Sequence, residues 1–181
     1  MIKQTAEEQK KTDEQMKKTD EQMKRTDERL DRLSRNVDGL NNSMGQLIET
    51  LIGAGIGDKF KGFNLKRVFR RVPIYNEKNR VLTDIDILLS NTAHAMGVEV
   101  KDALDRTSYV DKHLERMALI RKYPPAEIKI NNKRLMGALA GGFADPDVTA
   151  YAYKCGFFAL ELTGESVSLV PPPDGFTPGI W

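Results

Sequence analysis

"VLTDIDILLSNTAHAMGVEVK" (residues 81–101) holds two apolar runs around a short polar turn, with acidic residues set inside both runs. The length and β-branched content of each run read as strands, and "SNTAH" is short enough to close a hairpin. Side chains two apart on a strand leave the same face. Asp84 and Asp86 therefore share one face of the first strand, and Glu99 and Lys101 share one face of the second. Ile85, Ile87, Val98 and Val100 take the opposite faces, toward a core. If the hairpin pairs near its middle, Asp86 and Glu99 lie side by side. Two neighbouring carboxylates repel, and each is pushed toward protonation unless a cation sits between them. The bland alternative is a set of salt bridges on a wet face of the sheet. An oxygen-rich pair beside a lysine instead suits Mg²⁺ or Mn²⁺, with Lys101 placed to orient a water or to stabilise developing charge.

Working outward, "FNLKRVFRRVPIY" (63–75) reads as a further strand and "NEKN" as the turn that follows it. "TSYVDKHLERMALIRKY" (107–123) spaces Val110, Leu114, Met117 and Ile120 or Leu119 as a helix, with Thr107 or Ser108 as its N-cap and Pro124–Pro125 as its end. "RLMGALAGGFA" (134–144) reads as a buried strand, and "DPDVTAYAYKCG" (145–156) as a short helix. In that helix Asp145 is the N-cap, Pro146 the first helical residue and Gly156 the stop. "FFALEL" and "SVSLV" are strands around a "TGE" turn. A proline-rich strap follows, with Phe176 and Trp181 as its anchors. The order β-β-β-α-β-α-β-β, hairpins first and crossovers later, predicts an α/β domain with a mixed sheet.

The first part of the chain has a different period. From Thr5, units such as "TDEQMKK" and "TDEQMKR" advance seven residues at a time. Ile2, Gln9, Met16, Met23, Leu30, Val37, Met44 and Leu51 fall at one seam position, a. Thr5, Thr12, Thr19, Thr26, Leu33, Leu40 and Leu47 fall at the other, d. A seven-residue repeat held this long marks a left-handed coiled coil. We expect residues 1–51 to be an oligomerisation helix, self-associating through residues 2–51 with a dimer favoured, and residues 52–181 to be the α/β domain. The early threonines weaken the seam, and Gly39, Asn41, Asn42 and Gly45 are a candidate hinge. Gly53, Gly55 and Gly57 are expected to break the long helix.

Composition adds boundaries. The net charge is +2, with ten Lys/Arg against eleven Asp/Glu in residues 1–51 and eighteen against fifteen beyond. That mild basicity permits a nucleic-acid partner without requiring one. One cysteine, Cys155, excludes an intramolecular disulfide and a cysteine-rich metal site. The N-terminus has no apolar signal segment, and no apolar run reaches the ~20 residues of a membrane helix, so a cytoplasmic protein with no membrane partner is expected.

"DIDILL…GVEVK" resembles the core motif of the PD-(D/E)XK nuclease superfamily, an Asp on one strand and Glu-x-Lys on the next. The chain is also similar to coiled-coil-headed proteins of unknown function of the DUF3782 type, whose apolar "GAIAG" strand and C-terminal "GF.P..W" have counterparts in "GALAG" (137–141) and "GFTPGIW" (175–181). The superfamily's proline is absent, because Ile85 precedes Asp86. The resemblance implies a restriction-endonuclease-like α/β fold and Mg²⁺- or Mn²⁺-dependent cleavage of nucleic acid, DNA rather than RNA. It assigns metal binding to Asp86 and Glu99, assistance of the attacking water to Lys101, and an outer-shell place to Asp84. Glu49, on the preceding helix, is either a further ligand or a solvated coil residue. A catalytically silent adaptor with the same fold is the competing reading.

Lys59, Lys61, Lys66, Arg67, Arg70 and Arg71 lie within thirteen residues. They either contact nucleic-acid backbone phosphates or protect an edge strand from aggregation. Lys112, His113 and Arg116 follow on the helix after Glu-x-Lys, where His113 reads as a surface residue.

Overall fold

The structure, a computed structural model, describes residues 2–125, 128–164 and 166–181, with side chains from residue 13 onward. The chain forms two units, residues 1–43 and 44–181. From Ile2 onward the first belongs to the helix α1 (Ile2–Lys59). Its heptad residues Met16, Met23, Leu30, Leu33, Val37 and Leu40 all face water. The seam positions before Asp13 lie outside the described side chains.

The second unit contains the end of α1 and a six-stranded mixed sheet in the order β1-β2-β3-β4-β5-β6. β1 (Arg67–Tyr75), β2 (Val81–Ser90) and β3 (His94–Lys101) form an antiparallel meander. α2 (Thr107–Lys122) and α3 (Pro146–Lys154) are crossovers that lay β4 (Arg134–Gly141) and β5 (Phe158–Thr163) parallel to β3. β6 (Ser166–Leu169) closes the sheet antiparallel. This agrees with the order of elements expected from sequence. Part of the expected "TGE" turn, Glu165, lies outside the described residues. Among the described residues, no helix is long and apolar enough to cross a membrane.

Both faces of the sheet are covered. One core joins Leu88, Leu135 and Leu139 to Val110, Met117 and Ile120 of α2 and Val148 of α3. The other joins Ile87, Val98, Ala138 and Leu160 to Ile48, Ile52 and Ile56 of α1. Covered strands of this kind are apolar almost continuously, as β4 is.

Three local expectations are corrected. α1 does not break at its glycines but continues to Lys59. A Cβ on Gly53 would stand 2.8 Å from the Arg70 guanidinium, and one on Gly55 would stand 2.9 Å from Val167. These glycines let the helix approach the sheet; they do not end it. The N-cap of α2 is Arg106 with no side-chain cap, so Thr107 and Ser108 already lie inside the helix. Ile85 and Ile87 do not share a core either. Ile85 packs in the α2-side cluster with Leu88, whereas Ile87 packs in the α1-side cluster. The strict alternation of β2 slips at Asp86, opposite Arg71, whose φ of 49° is unusual for a residue with a side chain.

The α3 cap matches its sequence reading. Asp145 accepts hydrogen bonds from the amides of Asp147 and Val148 at 2.9 and 3.3 Å, with Pro146 next to it. The strap is anchored at both aromatics. Phe176 packs edge-on against Tyr153 and Phe158, and the Trp181 ring stacks 4.7 Å from Phe157.

Candidate functional site

The β2–β3 ladder runs from Ser90–Ala95 to Ile87–Val98 and stops. One step further in the same register come Asp86 and Glu99. There the pairing changes character, because Asp86 Oδ2 takes the place of a backbone acceptor and receives the Val100 N–H at 2.7 Å. Asp86 is half-buried. Burial pushes its carboxyl pKa up, while the Val100 amide and the charges of Lys101 and Arg116 pull it down; the net direction is upward. The lost hydration of the Asp86 carboxyl is thus only partly replaced by the Val100 amide and the nearby cations.

Glu99 is 3 % exposed and carries two cations. Lys101 Nζ lies 2.5 Å from Oε1, and the Arg116 guanidinium donates to Oε2. Lys101 Nζ also stands 5.7 Å from the centroid of the Tyr109 ring. Asp86, Glu99, Lys101 and Arg116 therefore form one electrostatic group at the β2–β3 divergence. It is roofed by α2, which reaches β3 through His113 and Arg116. Asp84 is exposed, and it raises the Asp86 pKa by like-charge repulsion.

Glu49 is brought close to this region of the sheet by α1, but its carboxylate is taken by Arg71, at 3.1 Å. Arg70 donates to the Thr50 carbonyl at 3.5 Å. Lys61 pairs with Asp58 at 3.5 Å. Lys59, Lys66 and Arg67 are exposed and have no ion-pair partner among the described residues. β1 is an edge strand, so its basic residues occupy the place where either phosphate contact or edge protection operates.

No protein-family profile and no curated protein matches the chain. Among solved structures it is similar to Pyrococcus furiosus SfsA in complex with Ca²⁺, at 14% identity and a TM-score of 0.35, over 76% of this chain and 64% of that one. The chain thus spans less than two thirds of the length of SfsA. No residue role passes across a likeness of this size.

Two features escaped the sequence reading. Arg116 was read only as a basic residue on the helix after Glu-x-Lys, and its ion pair with Glu99 depends on the packing of α2, which periodicity does not encode. His113 is fully buried, not a surface residue. Its Nε2 bonds the Gly97 carbonyl at 3.1 Å, its ring lies 4.8 Å from that of Phe157, and burial lowers its pKa to about 4. The signal was present in the spacing, since His113 continues the Val110–Met117–Ile120 stripe.

The donor set can be tested against a divalent cation. Asp86 and Glu99 are hard, acceptor-only ligands from adjacent strands, and Mg²⁺ is commonly held by one or two carboxylates with water and substrate phosphate supplying the rest. The incompletely compensated charge of Asp86 fits such an ion. Among the described residues, no cluster of three His, Cys, Asp or Glu is present, so Glu49 is not gathered with the other two. A groove of about 980 Å³, lined by Tyr151, Tyr153, Glu161 and Phe176 among others, shares no residue with this set.

Proposed function

We propose that the α/β unit is a metal-dependent phosphodiesterase of PD-(D/E)XK type, related to the DUF3782 proteins and acting on DNA. One observation carries the reading. Two carboxylates, Asp86 and Glu99, are withdrawn from water at a divergence between adjacent strands, with Lys101 two residues beyond Glu99 and bonded to it.

In this reading Asp86 and Glu99 hold Mg²⁺ or Mn²⁺. When bound, the ion supplies a Lewis acid that polarises a phosphate oxygen and acidifies a water. Lys101 orients the attacking water and offsets developing negative charge. Arg116 fixes the Glu99 carboxylate against the sheet. Lys59, Lys61, Lys66, Arg67, Arg70 and Arg71 provide sequence-independent, salt-sensitive contacts to the phosphate backbone. Asp84 remains outside the ligand set, and Glu49 enters it only by releasing Arg71.

A specific observation favours a second reading, a silent nuclease-fold adaptor. Glu99 is already neutralised by Lys101 and Arg116, and Glu49 by Arg71. Titration calorimetry of Mg²⁺ and Mn²⁺, with DNA cleavage followed on the same samples, separates the two. Wild type is expected to bind metal and cut, and an Asp86→Ala/Glu99→Ala variant of unchanged circular dichroism is expected to do neither. Cleavage that survives in the variant, or a wild type without metal heat, would refute the enzyme reading.

A further inference from the structure

The helix of residues 13–43 carries an apolar stripe that its own chain leaves uncovered. Met16, Met23, Leu30, Leu33, Val37 and Leu40 are between 46% and 67% exposed, all at a and d of one unbroken heptad. Thr19 and Thr26, also at d, turn their hydroxyls back to the carbonyls of Gln15 and Gln22 at 3.0 and 2.9 Å. Their polar atoms are thereby satisfied within the helix, and a partner at the seam has no orphaned hydroxyl to accommodate. Glu14–Lys18, Glu21–Arg25 and Glu28–Arg32 stand four apart on the outer face, with the acid N-terminal, the order that supports an isolated helix. The outer charges therefore serve the helix itself, and the seam alone calls for a partner.

A seam of constant period is complementary to an identical one, and the flanking positions choose its direction. Position e holds Asp13, Asp20 and Asp27, while position g holds Gln15, Gln22 and Arg29. An antiparallel pair sets e against e and so faces one aspartate row with another, which repels. A parallel pair sets g against e of the following heptad. Gln15 then meets Asp20 of the second copy, and Gln22 meets Asp27 of the second copy, as donor to acceptor.

We propose that residues 13–43 form a parallel, in-register, two-stranded coiled coil with a second copy of this chain. The inference is independent of the chemistry assigned to the α/β unit. It is tested on the full chain in a Cys155→Ser background, which removes the one native cysteine. Met16→Cys places a thiol at an a position, where parallel in-register helices bring the two copies together. Sedimentation equilibrium is expected to give twice the chain mass, and mild oxidation is expected to convert the protein to a covalent dimer on a non-reducing gel. A Leu30→Asp/Leu33→Asp variant is expected to sediment as a single chain while keeping the fluorescence of a folded α/β unit. A parent that sediments as a single chain overturns the pairing. A dimer that does not cross-link overturns its direction, and a dimer that survives Leu30→Asp/Leu33→Asp overturns the seam.

Discussion

The ion group around Glu99 makes a quantitative claim about stability that does not depend on catalysis. Glu99 is 3 % exposed, and its two oxygens are held by Lys101 and Arg116. Replacing Arg116 by Met removes one charge-assisted bond and leaves Lys101 at 2.5 Å, for a cost of about 1.5–3 kcal/mol. Lys101→Met added to it strands a buried carboxylate, and the total rises to about 3–5 kcal/mol. The decisive variant is the triple one. With Glu99→Met added, the stranded carboxylate and both of its cations are gone and only the half-buried Asp86 remains of the group, and apolar replacement of a buried ion pair or triad is close to neutral. The triple variant is therefore expected to recover most of what the double one loses. Urea unfolding followed by the single tryptophan reads this directly, because Trp181 stacks on Phe157 in the core of the α/β unit. A thermal scan should show the double variant melting roughly 10–15 °C below wild type. A triple variant no more stable than the double one would refute the view that an uncompensated Glu99 causes the loss.

Acid sensitivity follows from His113. Its ring titrates near 6.5 when unfolded and is held down to about 4 by burial. Between those values the unfolded chain binds more protons, so stability is present above 6.5 and is lost as pH falls toward 4, by about 3 kcal/mol in all. His113→Gln should flatten that part of the stability–pH curve, and an equal fall in urea midpoint between pH 6.5 and 4.5 in wild type and variant would exclude the assignment. Asp145→Ala removes the acceptor for two amides of α3 and should cost about 1 kcal/mol, seen as a lower urea midpoint with an unchanged slope.

The sequence made the element order legible because each strand and helix here carries its own period and its own stops. The paired part of the hairpin, Ile87–Ser90 with Ala95–Val98, could be read residue by residue, and its register brings Asp86 toward Glu99. What could not be read were consequences of packing between elements. Gly53 and Gly55 have the composition of a helix end, yet they serve a helix–sheet approach that only the sheet's position reveals. Arg106 precedes α2 where Thr107 has the better capping chemistry, because the isolated bridge between Leu104 and Ala144 already fixes the path of the chain entering the helix. The slip between Ile85 and Ile87 is local, and alternation alone predicts none. Arg116 reaches Glu99 only because α2 roofs β3, a fact of tertiary placement.

The Asp86–Val100 bond has a consequence of its own. Among the described residues, the other strand pairs are held by backbone ladders and, between β5 and β6, by the Thr163–Ser168 hydroxyl pair, none of which changes its charge. At this one point the strands are tied by a side chain that can. A protonated Asp86 accepts the Val100 N–H less strongly than the carboxylate does, and burial shifts its pKa upward, toward that form. The seam between β2 and β3 is therefore stitched at its end by a removable thread. The strength of that tie depends on whether the Asp86 carboxyl is charged.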